Sequence, residues 1–182
     1  MTVALLVAAG ALTLSVAAVL LIGRRLPLGH EASRSLRLGR RPQDVWEAIT
    51  DLDGLSAWRP GLKRAERLPD VDGRARWREY DRHGKITYEV VEAERPVRFV
   101  TRIADVGLPF GGAWTWTIEP AEQGCLVVVT ERGEIYNPLF RFVSRYIIGY
   151  SATIGRTLGA LAKHLDEDRA VTSQDRRSTR IR

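Results

Sequence analysis

Cysteine, histidine, lysine and methionine are all scarce in this chain of 182 residues, and each shortage closes off some chemistry. One cysteine, Cys125, excludes an internal disulfide framework and a cysteine-based metal site. Imidazole comes only from His30, His83 and His164, which are scattered and form no H-E-x-x-H pattern. There is no G-x-S-x-G elbow, no Walker loop and no Rossmann glycine fingerprint. Nothing in the sequence therefore calls for a metal, a nucleotide or another cofactor, or for a serine nucleophile. Lysine is limited to Lys63, Lys85 and Lys163, so arginine carries the net charge of +6. Arg24, Arg25, Arg34, Arg37, Arg40 and Arg41 stand against the single acid Glu31, a local +5, and the remainder is nearly neutral. Such a distribution predicts no nucleic-acid-binding face.

Against these shortages stands one long apolar run. Thr2 to Ile22 holds 17 apolar residues and no charge, and Gly23-Arg24-Arg25 ends it. As a helix it spans about 31 Å at 1.5 Å per residue, close to the roughly 30 Å of a hydrocarbon core. A retained anchor and a cleaved signal peptide both fit such a segment. No Lys or Arg precedes the run and it exceeds an ordinary h-region, so the anchor is the expectation. Arg24 and Arg25 just beyond it predict one pass through a bacterial-type cytoplasmic membrane, with the rest of the chain on the cytoplasmic side. The same arginines suit anionic headgroups, at about 1 kcal/mol each. The expected division is an anchor over 1–25, a folded domain over 26–168 and a disordered tail over 169–182, where Arg, Ser, Thr and Asp leave little to bury.

Past Glu31 the periodicity changes. Ala32, Arg34, Leu36 and Leu38 alternate with their neighbours as a short strand. Pro42 suits the first position of a helix, and Val45, Trp46, Ile49 and Leu52 follow at helical spacing until Asp53-Gly54. A second short helix through Leu55 and Trp58 stops at Pro60-Gly61. A meander follows, with strands near 62–68, 74–81, 85–93, 97–103, 112–120 and 125–136. Asp72-Gly73, His83-Gly84, Glu94-Arg95-Pro96 and Gln123-Gly124 separate them. The longest connection, Ala104 to Gly112, is glycine-rich and reads as a mobile loop. Asn137 as N-cap and Pro138 at N1 then open one long helix. Its apolar stripe runs from Leu139 through Phe142, Val143, Tyr146, Ile147, Tyr150, Ile154, Leu158 and Leu161 to Leu165.

Strand, two short helices, six meandering strands and a long final helix is the element order of the helix-grip fold. RRPQDVWEAITDLDGLSAWRPGLKRAE resembles the opening of the SRPBCC superfamily, close to its START-like, polyketide cyclase/dehydrase and lipid-transport members. GGAWTWTIEP resembles the penultimate hairpin of those proteins, and TERGEIYNPLFRFVSRYIIGYSATI resembles a subgroup's approach to the final helix. The resemblance covers roughly 31–166. It implies an α+β domain in which a bent seven-stranded antiparallel sheet wraps a long C-terminal helix, here preceded by one transmembrane helix. It also implies a mostly apolar cavity between sheet and helix. Trp77, Tyr88, Phe99, Trp114 and Trp116 on strands, and Phe142, Tyr146 and Tyr150 on the helix, are its expected aromatic walls.

Polar candidates follow from strand alternation. If Trp77 points inward so does Glu79, and an inward carboxylate needs arginine company of the Arg76 kind or a ligand. Glu131 and Glu134 lie three apart, on opposite faces of a regular strand unless Gly133 forms a bulge. One of the two serves as a base near the cavity mouth if burial raises its pKa, or they make a surface ion pair with Arg132 or with a neighbouring strand. Arg102, Asp105, Pro109 and Phe110 are expected at the rim or in the loop. Gly155 and Gly159 predict close packing of the helix on the sheet. Phe140 and Ile148 fall off the main stripe, where they either pad a loop or touch a bilayer. The preferred function is a membrane-tethered binding protein for an apolar small molecule or lipid, with the membrane engaged through 2–22, Arg24 and Arg25. The alternatives are a cyclase/dehydratase- or hydrolase-type enzyme working in the same cavity, and a structural or regulatory module whose cavity has collapsed.

Overall fold

A computed structural model of the chain describes residues 2–82, 84–165 and 172–174. Helix α1 (Thr2–Arg25) is followed by strand β1 (Gly29–Leu38), helix α2 (Pro42–Thr50) and the single turn α3 (Leu55–Trp58). Strands β2 (Arg64–Val71), β3 (Arg74–Tyr80), β4 (Lys85–Glu94), β5 (Arg98–Ile103), β6 (Phe110–Pro120) and β7 (Cys125–Ile135) form the meander. Helix α4 (Pro138–Val143), a π-helical turn over Ser144–Ile148, helix α5 (Ala152–His164) and a short strand β8 (Thr172–Gln174) complete the chain. All strands belong to one antiparallel sheet in the order β2-β3-β4-β5-β6-β7-β1-β8. Seven strands make the wrapped sheet, and β8 adds three residues at its edge, against Ser33–Ser35. Of the expected tail, only this strand is among the described residues, and His83 lies outside them.

Local chemistry explains the elements. In α2, Pro42 occupies the first turn and the Asp44 carboxylate accepts hydrogen bonds from the Arg41 backbone N–H and guanidinium, 3.2 and 2.7 Å. Val45, Trp46 and Ile49 are its buried face. The β4–β5 register shifts between Val90 and Glu92, an irregularity that increases local twist where the sheet bends. Leu36, Leu38, Val45, Val127, Val129, Ile154, Leu158 and Leu161 are essentially inaccessible, and each contributes about 1.5–3 kcal/mol through burial. That packed core fills the space between α5, α2, β1 and β7.

One long helix from 138 to 165 was the expectation, and the structure breaks it. The chain widens into a π turn after Val143, and Gly149 takes φ 79°, a backbone conformation only glycine adopts without strain. The break turns Tyr146 and Ile147 outward, 58% and 70% exposed, although a continuous stripe would have buried them. A Cβ on Gly155 would make only ordinary van der Waals contact with the Arg34 side chain, 3.4 Å away, and one on Gly159 would face open space, so close packing on the sheet requires neither glycine. The connection from Ala104 to Pro109 is held at both ends. Ala104 N–H donates to the Thr87 carbonyl and Tyr136 N–H to the Pro109 carbonyl, at 2.8 and 2.9 Å.

Helix α1 is long and apolar enough to cross a membrane, and its span is not buried by the rest of the chain. Its last turn lies against α4. Gly23 is buried so close to the Pro138 carbonyl that a Cβ would sit 2.1 Å from that oxygen. Beside it the Arg141 guanidinium donates to the Leu26 carbonyl, 2.8 Å.

Candidate functional site

Inward side chains of β3 to β7 and β1 meet α3, the π turn and the start of α5 around a partly enclosed cavity of about 430 Å³. Strand pairing sets its wall. Trp77 is opposite Tyr88, Phe99 is opposite Trp116, and Trp114 is opposite both Thr101 and Glu131. Trp77, Glu79, Tyr88, Phe99, Trp114, Trp116 and Tyr150 all line it, as do Phe110, Glu131 and Glu134. Trp77 stacks on Tyr88 with centroids 5.4 Å apart.

Glu79 and Trp77 do share the inner face, but the partner of the carboxylate is Arg59, at the end of α3. Arg59 Nη1 donates to Glu79 Oε1 at 2.5 Å, and Trp77 Nε1 donates to the same oxygen at 3.0 Å. The Arg59 guanidinium also lies 5.8 and 5.9 Å from the ring centres of Tyr88 and Trp114, a cation–π arrangement on two sides. Burial pushes the Tyr88 phenol up to about 12, against the opposing pull of Arg59. At neutral pH that phenol is a neutral donor and not a phenolate base.

A second polar group closes the far side of β7. His30 Nε2 is 3.5 Å from Glu131 Oε1, and the imidazole stacks on Tyr150 with centroids 3.9 Å apart and planes 15° apart. Sequence reasoning missed His30 because an isolated histidine beside a basic segment carries no motif. Only the pairing of β1 with β7, which sets His30 opposite Gly133, brings it to the site. No bulge occurs there, since pairing runs unbroken through Gly133 on both sides. The glycine serves another purpose, because a Cβ would fall 2.3 Å from His30 Cε1. Gly133→Ala is expected to displace the imidazole from Tyr150 and to cost about 1–3 kcal/mol as overpacking. The measurement is chemical denaturation together with the NMR shift of the His30 ring protons, which stacking moves upfield. An unchanged shift would refute the arrangement.

Several expected residues lie elsewhere. Phe142 and Tyr146 are not in the lining; they pair with each other, centroids 5.0 Å apart, because the π turn rotates this stretch away from the sheet. Their places are taken by Phe140, Ser144 and Ile148. Arg102 is on the outer face, where it and Arg76 bind Glu89, whose side chain is 1% exposed. Burial works to raise that carboxyl's pKa, and the two arginine hydrogen bonds outweigh it, holding it below the usual range. Arg76 is thus committed to Glu89 and unavailable to Glu79. Asp105 accepts a hydrogen bond from the Thr87 N–H at 2.5 Å and, like Pro109, stays outside the lining. Arg132 pairs with Glu31 at 3.0 Å and leaves Glu131 to His30.

A bent antiparallel sheet around a C-terminal helix, with an aromatic cavity between them, defines a helix-grip protein. The chain belongs to the polyketide cyclase / dehydrase and lipid transport family, whose model matches residues 30–166. Solved structures of similar fold include the di-domain aromatase/cyclase StfQ of the steffimycin biosynthetic pathway (TM-score 0.60, 13% identity, 74% of this chain). The match spans 50% of that di-domain chain. The ZhuI aromatase/cyclase of a Streptomyces species is similar at TM-score 0.57 and 13% identity, over 76% of this chain and 94% of its own. A Thermus thermophilus protein is similar at TM-score 0.59 and 20% identity, over 75% and 94%. No curated protein sequence matches.

Proposed function

We propose that this is a membrane-tethered binding protein for an apolar small molecule or lipid, held in the cavity between sheet and C-terminal helices. In this reading helix α1 is the tether, and the arginines after it favour the cytoplasmic side for the domain. One observation carries the reading. The wall of the cavity is mainly aromatic and aliphatic, with the Arg59–Glu79 and His30–Glu131 pairs as its few placed polar groups. Such a lining suits a ligand with an apolar body and one or two oxygen atoms. Both hydrogen bonds to Glu79 fall on Oε1, so Oε2 is left for a hydroxyl of the same ligand.

The test is native mass spectrometry of the detergent-extracted full chain. An apolar adduct is expected. The emptied protein should rebind it with a change in tryptophan emission and a gain of about 2.7 kcal/mol at a hundredfold excess over Kd. If no adduct travels with the protein and no apolar probe alters its emission or melting, the binding reading fails.

A second reading, cyclase/dehydratase chemistry, is favoured by the His30–Glu131 pair, which has the composition of a general acid/base couple. Release of an adduct that has lost water, abolished by His30→Gln, would select it over simple binding.

A further inference from the structure

Leu139, Tyr146 and Ile147 of the broken helix have no role in the cavity or the core. Leu139, Phe140, Tyr146, Ile147 and Ile148 lie within ten residues and are all exposed. No acidic residue occurs between Glu134 and Asp166, while Arg145 stands in the middle of the patch. A surface of this kind marks an interaction site.

Its position relative to α1 identifies the occupant. The Gly23–Pro138 contact and the Arg141–Leu26 hydrogen bond fix the start of α4 at the level of residues 23–26. That level is where the apolar run ends and Arg24 and Arg25 begin. If α1 crosses a bilayer, α4 and the π turn begin at its headgroup layer and extend about 16 Å from there at helical rise. Apolar side chains with interspersed arginine and no acid suit an anionic interface, where such a segment lies in the plane of the membrane.

We propose that the segment from Pro138 to Gly149 is embedded in the headgroup–acyl boundary of an anionic bilayer, and that the cavity opens there onto the acyl layer. Phe140, Ser144, Ile148 and Gly149 belong to the cavity wall as well as to this segment, so one stretch of chain separates ligand from lipid. The helical break supplies the opening, since the π turn and Gly149 interrupt the backbone ladder that would otherwise seal that side. A ligand then moves between leaflet and cavity without crossing water. The inference rests on the tethered-binding reading above, but its test does not depend on a ligand being found.

The test uses the full chain in vesicles of phosphatidylcholine and phosphatidylglycerol. Leu139→Cys and Ile147→Cys, each labelled with the fluorophore NBD, are compared with Gln123→Cys in the β6–β7 turn. That turn lies at the opposite end of β7 from α4, and native Cys125 is buried. Lipids carrying a nitroxide near the acyl carbonyl should quench the label severalfold more at 139 and 147 than at 123, with blue-shifted emission. Equal quenching at the three positions, or water-like emission at 139 and 147, overturns the proposal. Apolar-probe binding in detergent without quenching in vesicles would sink the docking face and leave the binding reading intact. Quenching without any probe binding would do the reverse. Loss of the excess quenching when phosphatidylglycerol is omitted would confirm the charge component.

Discussion

Arg59→Met is expected to cost about 3 kcal/mol of unfolding free energy, because it leaves the Glu79 carboxylate in the cavity wall with only the Trp77 indole N–H as partner. Side-chain exposures of 22% for Arg59 and 11% for Glu79 keep water from replacing the guanidinium fully. The figure stands at the low end of the range for broken buried pairs, since the cavity is partly open. Arg59→Met combined with Glu79→Gln should recover most of the loss. The amide is neutral, and its oxygen still accepts from Trp77 Nε1. Urea unfolding of the full chain in detergent measures the cycle. A single-variant cost below about 1 kcal/mol, or costs that simply add, would mean that solvent screens the pair as it does a surface ion pair. The cycle also bears on function, because a ligand hydroxyl at Glu79 should protect the protein more strongly when Arg59 is absent.

Alkaline pH should destabilise the domain through Tyr88. The phenol is raised to about 12 in the folded protein, while in the unfolded chain it titrates near 10. Its contribution is therefore complete below about pH 10. It is lost as the pH rises from there to about 12, because the unfolded state releases its proton first. The loss amounts to about 2–3 kcal/mol over that window. Tyr88→Phe should abolish that part of the pH dependence and leave stability at pH 7 within about 1 kcal/mol. Denaturation midpoints at about pH 9 and about pH 11 for the two proteins decide the matter. Parallel declines would show that the phenol is not shielded. The same shielding bears on the enzyme reading, which then depends on His30 and Glu131 and not on a tyrosinate.

Much of this protein follows from sequence. The 17 apolar residues before Gly23-Arg24-Arg25 set a helix of membrane-spanning length, whatever packs against it. Alternation in the strands and turn chemistry at Asp72-Gly73 and Gln123-Gly124 set the order of the meander, since both signals are local. Period two also determined that Trp77 and Glu79 share a face, as do Trp114 and Trp116. Tertiary structure decided the rest. The choice of Arg59 over Arg76 for Glu79 depends on α3 folding over the sheet, with Arg76 drawn outward to Glu89 by the strand pairing of β3 with β4. The approach of His30 to Glu131 and Tyr150 requires β1 to lie beside β7, a pairing across about a hundred residues that local periodicity does not encode. The final helix shows the limit most clearly. Its stripe from Leu139 to Leu165 keeps helical spacing throughout, but the backbone breaks at Gly149, and in the folded chain Phe140 and Ile148 line the cavity while Tyr146 and Ile147 face outward. Spacing reports which side chains share a side of an ideal helix; where that helix bends depends on the sheet it must cover.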